Sequence, residues 1–170
     1  MGGGMAVLSS TAEKWRQVTG NIILQGYGLS ETSPVSTANP INSTTFTGTI
    51  GVPMPGTEIA IIDDEGNEVA LGERGEIGVR GPQVMKGYWQ RKEATAEVMT
   101  DDGYFLTGDI GIMDEDGYVT IVDRKKNMIL VSGFNVYPTE VEEVMSGHPK
   151  IVECGVIGIN NGESGEVPKI

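Results

Sequence analysis

From Thr49 onward the apolar residues fall in short stretches, "TEIAIID", "GEIGVRG", "YFLTGDIGIMD" and "YVTIVD", separated by glycine-rich acidic segments such as "DEGNE" and "EDG". Runs of this length bounded by turn residues read as strands joined by hairpins, so the region is β-rich. Upstream, Ser10 followed by Glu13 fits a capping box, and Thr11 to Val18 ahead of Gly20 reads as one short helix. Ile22 to Leu24 reads as a buried strand. The segment "RKEATAEVM" avoids Gly and Pro and spaces its apolar residues unevenly for a strand, which predicts a helix. Pro138 is placed for the first turn of a helix through Glu140 to Met145, stopped by Gly147 and Pro149. Ile151 to Ile159 then returns to strand, and a β-α-β piece that stops there is expected to be part of something longer.

Composition narrows the classes of function. The 170 residues carry a formal charge of −12, which disfavours unspecific attraction to nucleic acid or anionic lipid, so an anionic ligand needs a local site. Arg124, Lys125 and Lys126 form the densest basic cluster in this acidic chain and mark a domain boundary, dividing residues 1–124 from residues 125–170. No apolar run approaches the roughly 20 residues of a membrane-spanning helix, and "MGGGMAVLSS" lacks the basic segment of a secretory signal. Cys154 and His148 are the only residues of their kinds, which excludes a thiolate–imidazole zinc site and fits a reducing compartment. Cys154 reads as a core residue and His148 as structural or exposed. The turns "DDEGNE" and "DEDGY" lack the alternating ligands and distal Glu of a calcium-binding loop, and read as hairpin turns.

One stretch concentrates chemistry. In "LQGYGLSETSP" a glycine-flanked Tyr27 follows an apolar run, which sets a flat ring at a strand's carboxyl edge, where open sheets bind ligands. Tyr27 could stack on a base, with Gly26 and Gly28 admitting a planar group. Ser30 offers a hydroxyl to a phosphate oxygen, while the Glu31 carboxylate would repel that phosphate unless Mg²⁺ lay between them. Spacing by itself leaves open a plain loop or helix start with Tyr27 as a core aromatic.

The segments "GYGLSE", "YFLTGD" and "GYVTIVDRKKNMILVSGFNVYPTEVE", in that order, resemble the adenylate-forming superfamily of acyl-CoA synthetases, and within it the bacterial long-chain fatty-acid–CoA ligases. The likeness runs through the whole chain, and Asp101 to Lys126 resembles the signature region of the fatty acyl-CoA synthetases. It implies an α+β fold: the β-rich C-terminal part of the large AMP-binding domain over residues 1–124, then the hinge and the start of the small α/β domain over residues 125–170. The implied activity activates a fatty acid with ATP and Mg²⁺ to acyl-AMP plus pyrophosphate, then passes the acyl group to CoA.

The same resemblance implies a role for each matched residue. Gly2, Gly3 and Gly4 would form the glycine turn bordering the acyl and adenine pockets. Tyr27 with Gly28 would face adenine, Ser30 the α-phosphate, and Glu31 the Mg²⁺. Ser30 stands where the family usually has Thr, a change that keeps the hydroxyl. Asp109 would accept both ribose hydroxyls, a task suited to a carboxylate with two acceptor oxygens. Arg124 would contact the ribose or phosphate side, Lys126 would be the hinge between the two half-reactions, and Ser132, Gly133 and Phe134 would line the CoA path in a loop. An aryl- or aminoacyl-activating ligase would share Tyr27, Glu31 and Asp109, and a noncatalytic module could keep the same framework.

The superfamily's Ser/Thr/Gly-rich phosphate loop and its C-terminal lysine find no counterpart in the 170 residues, so the chain by itself is expected to be silent. Open sheet edges are expected to favour self-association. The implied setting is cytoplasmic, with peripheral association at the inner face of the membrane left open, and with no nucleic-acid partner.

Overall fold

The computed structural model describes residues 2–4, 7–162 and 165–170; Met1, Met5, Ala6, Glu163 and Ser164 lie outside the described residues. The chain divides into two compact units, Met1–Ile121 and Val122–Ile170. The first contains helix α1 (Ser9–Thr19), strands β1 (Gly26–Tyr27), β2 (Thr37–Ala38) and β3 (Val52–Pro53), and β4 (Glu58–Ile62), β5 (Arg74–Arg80), α2 (Lys92–Ala96) and β6 (Phe105–Met113). Strands β1, β2 and β3 form one small antiparallel sheet. A second sheet has the order β4-β5-β6-β7, where β7 is Val119–Arg124.

The strand register explains the core. Ile59 pairs with Val79 and Ile61 with Ile77. Because side chains alternate along a strand, these four share one face, and with Ile50 and Val119 they form the buried cluster against which Tyr27 packs. Burying each such side chain contributes roughly 1.5–3 kcal/mol. Ala60 and Ile62, on the opposite face of β4, are buried as well, which is why "IAII" is a continuous apolar run without alternation.

The acidic turns are built by one device used twice. Asp63 Oδ1 accepts the N–H groups of Glu65 at 3.0 Å and Asn67 at 2.8 Å. Asp114 Oδ1 accepts those of Asp116 at 3.0 Å and Tyr118 at 2.8 Å. Short acidic side chains are suited to this because they can bond their own backbone a few residues on. The Asn67 backbone N–H, foremost among these donors, holds the Asp63 carboxyl below its ordinary range.

Several elements depart from the expectation. Helix α1 begins at Ser9 after an extended Leu8 with no side-chain cap, and Glu13, instead of reaching back to Ser10, accepts a hydrogen bond from Gln17 Nε2 at 2.9 Å. Ile22 to Leu24 is half-buried and is not strand, and the first bridge is at Gln25, in parallel to Gly2. The helix in "RKEATAEVM" is confined to α2 because Val98 O is taken by Leu106 N–H at 2.8 Å and Met99 bridges to Phe105.

The second unit holds a short 3-10 turn over Lys125–Asn127, then β8 (Ile129–Val131), β9 (Phe134–Val136), α3 (Pro138–Ser146), β10 (Ile157–Asn160) and β11 (Glu166–Lys169). Pro138 occupies the start of α3. The buried Asp123 accepts Thr139 N–H at 2.8 Å, supplying from β7 the acceptor that the N-cap residue Tyr137 does not. Ile151 to Val156 is not strand, since Val156 N–H donates to Glu142 Oε1 at 2.8 Å and so leaves the ladder to β10. The final strand is β11, which folds back antiparallel on β10. Cys154 is only half-buried, with Sγ 3.7 Å from Glu142 O, and His148 is exposed.

Candidate active site

Asp109 owes its position to an irregularity in β6. Glu76 pairs with Ile110 and Gly78 with Leu106, so that Ile77 on β5 faces three residues, Thr107, Gly108 and Asp109. Such a bulge re-aims the side chains it carries. It is fastened at two points: Thr107 Oγ1 donates to Ile77 O at 2.9 Å, and Gly108 N–H donates to Glu76 Oε1 at 2.8 Å. Glu76 and Thr107 are both buried. Asp109 is 4% exposed, and its Oδ2 accepts the Tyr27 hydroxyl at 2.6 Å across 82 positions of sequence.

Tyr27 is held from the other side. Its ring packs on the β4–β5 core cluster, and its carbonyl accepts Ser36 N–H at 2.8 Å. Just beyond it the chain doubles back so tightly that a Cβ on Gly28 would lie 1.5 Å from Pro34 O. Gly28 therefore has a steric reason for being bare that is independent of any ligand. The Tyr27 hydroxyl and the Asp109 carboxylate are thereby fixed side by side, an aromatic ring and a carboxylate of the kinds that a base joined to a vicinal diol would use.

Ser30, Glu31 and Thr32 make a short 3-10 turn. Thr32 is its anchor: fully buried, its Oγ1 accepts Leu29 N–H at 2.9 Å and donates to Pro34 O at 2.8 Å. With Thr32 turned inward, Ser30 is exposed and Glu31 half-buried. Glu31 Oε1 accepts the Tyr88 hydroxyl at 2.9 Å, and Glu31 O accepts Met85 N–H at 2.8 Å. Partial burial, and after it this bond to Glu31, push the Tyr88 phenol up.

Among the described residues no three His, Cys, Asp or Glu side chains cluster closely enough to hold a metal. A single accessible carboxylate beside a hydroxyl still suits Mg²⁺, which keeps several waters and is usually held by one or two carboxylates together with substrate phosphates. The donor set at Glu31 therefore fits that cation.

The glycines near the start run beside β1: Gly2 N–H donates to Leu24 O at 2.8 Å, and Gly26 N–H donates to Gly2 O at 3.0 Å. Gly3 and Gly4 are exposed. In the second unit Arg124 ends β7 and Lys126 sits in the 3-10 turn, both exposed. Ser132, Gly133 and Phe134, expected in a loop, belong to a β-hairpin between β8 and β9. Ser132 at φ 51° and Gly133 at φ 87° form its two-residue turn, the positive-φ geometry whose twist matches the strands. Phe134 stands 75% exposed beside that turn.

Sequence reasoning did not single out Thr32, Glu76, Tyr88 or Thr107. Thr32, Glu76 and Thr107 bond backbone groups that close a turn or lie far along the chain, and Tyr88 bonds a side chain 57 positions away, so their signal appears only once register and loop packing are known. The dipeptide Ser132–Gly133 between two apolar runs did carry a hairpin signal. Among the described residues no helix is long and apolar enough to cross a membrane.

Comparison with known proteins adds an independent line. The family described as AMP-binding enzyme matches residues 1–89. A long-chain-fatty-acid–CoA ligase from Yersinia pestis is 56% identical over 170 residues, covering 100% of this chain and 30% of that protein. A protein of the same name from Bacillus subtilis is 46% identical, covering 99% of this chain and 30% of that one. Among solved structures, ATP-bound MatB from Rhodopseudomonas palustris is similar with a TM-score of 0.93 at 40% identity, over 98% of this chain and 33% of that one. The o-succinylbenzoate CoA synthetase of Bacillus subtilis, in complex with its acyl-adenylate, has a TM-score of 0.86 at 36% identity, over 98% and 34% of the two chains. The chain thus spans about 30% of the length of the curated relatives it matches.

Proposed function

The chain belongs to the AMP-binding enzyme family, and from that premise we propose that it is part of a long-chain fatty-acid–CoA ligase. In this reading residues 1–124 contribute the end of the large domain, and residues 125–170 contribute the hinge and the start of the small one. The observation that carries the reading is the Tyr27–Asp109 pair, a buried carboxylate that accepts the hydroxyl of an aromatic side chain at 2.6 Å.

The roles follow from what each group offers. The Tyr27 ring takes adenine and the Asp109 carboxylate takes the ribose hydroxyls, which together hold the nucleotide in one orientation. Ser30 Oγ lies at the α-phosphate. Glu31 would hold Mg²⁺, which when bound supplies positive charge against the phosphates. The substrate carboxylate attacks the α-phosphorus, the bond to pyrophosphate breaks, and an acyl-adenylate results. The thiolate of CoA then attacks the acyl carbon and AMP leaves. No side chain of this chain has to act as the nucleophile, so its contribution is positioning and electrostatics. By resemblance to the family, Arg124 would meet the anionic nucleotide, Lys126 would serve as hinge, and the Ser132–Phe134 hairpin tip would border the thiol's path. Gly2 to Gly4 border the acyl and adenine pockets.

The test is ATP–pyrophosphate exchange by the full-length protein against long fatty, aryl and amino acids. Exchange driven by long fatty acids is expected, and the 170-residue chain by itself is expected to give none. Exchange with aryl or amino acids only would reassign the chain to another adenylating ligase, and no exchange with any acid would leave a noncatalytic module.

A further inference from the structure

We propose that Tyr88 is a positioning residue for the Glu31 carboxylate, its phenol fixing which carboxylate oxygen meets the cation; this rests on the reading of Glu31 as the cation's ligand. The two residues are 57 positions apart, and their hydroxyl–carboxylate contact at 2.9 Å is one of two bonds that the segment between β5 and α2 makes to Glu31. The other, from Met85 N–H to Glu31 O at 2.8 Å, fixes the backbone of the 3-10 turn. A backbone bond leaves a Glu side chain free to rotate about three torsions, and the phenol removes that freedom at the carboxylate itself. With Oε1 engaged by Tyr88, a cation meets Oε2.

Tyr88 is itself tied down. Its N–H donates to Thr95 Oγ1 at 2.9 Å, and that hydroxyl donates to Arg91 O at 2.8 Å at the start of α2. The line from α2 through Tyr88 to Glu31 gives the short helix a purpose that its apolar content does not, since none of its residues is buried. Partners that orient a metal-binding carboxylate typically change metal affinity by about 10–100-fold when removed.

The experiment uses the full-length ligase and three variants, Tyr88→Phe, Glu31→Gln and Trp89→Ala. Electron paramagnetic resonance measures Mn²⁺ binding to the protein with α,β-methylene-ATP, and pyrophosphate exchange is measured as a function of free Mg²⁺. Tyr88→Phe removes one oxygen from a partly exposed ring, and thermal melts confirm that it folds. Its Mn²⁺ dissociation constant and half-saturating Mg²⁺ are expected to rise about tenfold. Its exchange rate at saturating Mg²⁺ and its KM for fatty acid should stay near those of the parent. Trp89→Ala, at a side chain 87% exposed, should change none of these. Metal affinity unchanged in Tyr88→Phe but weakened in Glu31→Gln would overturn the role of Tyr88 while leaving Glu31 as the ligand. Affinity unchanged in both would overturn the Glu31 reading on which the proposal rests.

Discussion

The two units of the chain hold their candidate residues in opposite ways. In Met1–Ile121 three of them are fixed by partners far away in sequence: Asp109 is buried against Tyr27, and Glu31 is held at its carboxylate by Tyr88 and at its backbone by Met85. In Val122–Ile170 the corresponding residues, Arg124, Lys126, Ser132, Gly133 and Phe134, stand exposed on a strand end, a turn and a hairpin tip. Their glycines differ in the same way. Gly28 is bare because a neighbouring carbonyl occupies the space of a Cβ, whereas Gly133 meets nothing within 4 Å and supplies the positive φ of its turn. Under the proposed function, a preorganised platform would suit a nucleotide common to both half-reactions, and exposed short elements would suit groups needed in only one of them.

The largest effect expected from this contrast is at Asp109. In the proposed reading, Asp109→Ala in the full-length protein would remove two charge-assisted acceptors from the ribose, and it leaves the Tyr27 hydroxyl without the carboxylate it donates to. Hydrogen bonds to charged groups contribute about 1.5–3 kcal/mol each, so both partial reactions should fall at least about 100-fold. Loss of only one of them would break the view of the first unit as a common platform.

A smaller and one-sided effect is expected in the second unit. Gly133→Val places a β-branched residue at φ 87°, and Lys126→Pro removes an N–H and fixes φ in the 3-10 turn. Each should slow thioester formation about tenfold or more while pyrophosphate exchange stays within about twofold, measured as separate half-reactions. Equal losses in both steps would erase the distinction between the units.

Stability should separate the two glycines. Gly28→Ala forces a methyl into a backbone carbonyl and should cost about 3 kcal/mol in chemical denaturation. Gly133→Ala meets open space and should cost about 1 kcal/mol, the penalty of the left-handed conformation.

The smallest effect lies away from the site. Arg80 donates to both oxygens of Glu58, and that hydrogen bond, ahead of the Coulombic attraction, holds the Glu58 carboxyl below its ordinary 4.5. A carboxyl lowered in the folded state stabilises above its unfolded value, and that contribution is lost as pH falls through the folded one. Glu58→Gln should therefore melt slightly below the parent near neutral pH, with the gap closing on acidification below about pH 4. A gap that widened in acid would contradict the pairing.

Much of the fold was legible because local signals and tertiary pairing agreed. The β4, β5, β6 and β7 strands are apolar runs between turn residues, and the Asp63 and Asp114 turns carry their own acceptors. Where they disagreed at the start of α1, a competing local bond won: Ser10 and Glu13 had capping chemistry, yet the helix begins at Ser9 and Glu13 bonds Gln17 one turn on. Residues of the site could be named from motif resemblance, but not the way they are held. The bulge that carries Asp109 depends on the register of β5 against β6, and the Glu31–Tyr88 bond depends on a segment 57 positions away, neither of which has a local signature.

The central claim, that Tyr27, Glu31 and Asp109 form one nucleotide site, is tested most directly by a crystal structure of the full-length ligase with ATP and Mn²⁺, using the anomalous signal of manganese. The account predicts adenine against the Tyr27 ring, the ribose hydroxyls on Asp109 and the manganese peak at the Glu31 carboxylate. Nucleotide bound away from Tyr27 and Asp109, or a manganese peak with no contact to Glu31, would contradict it.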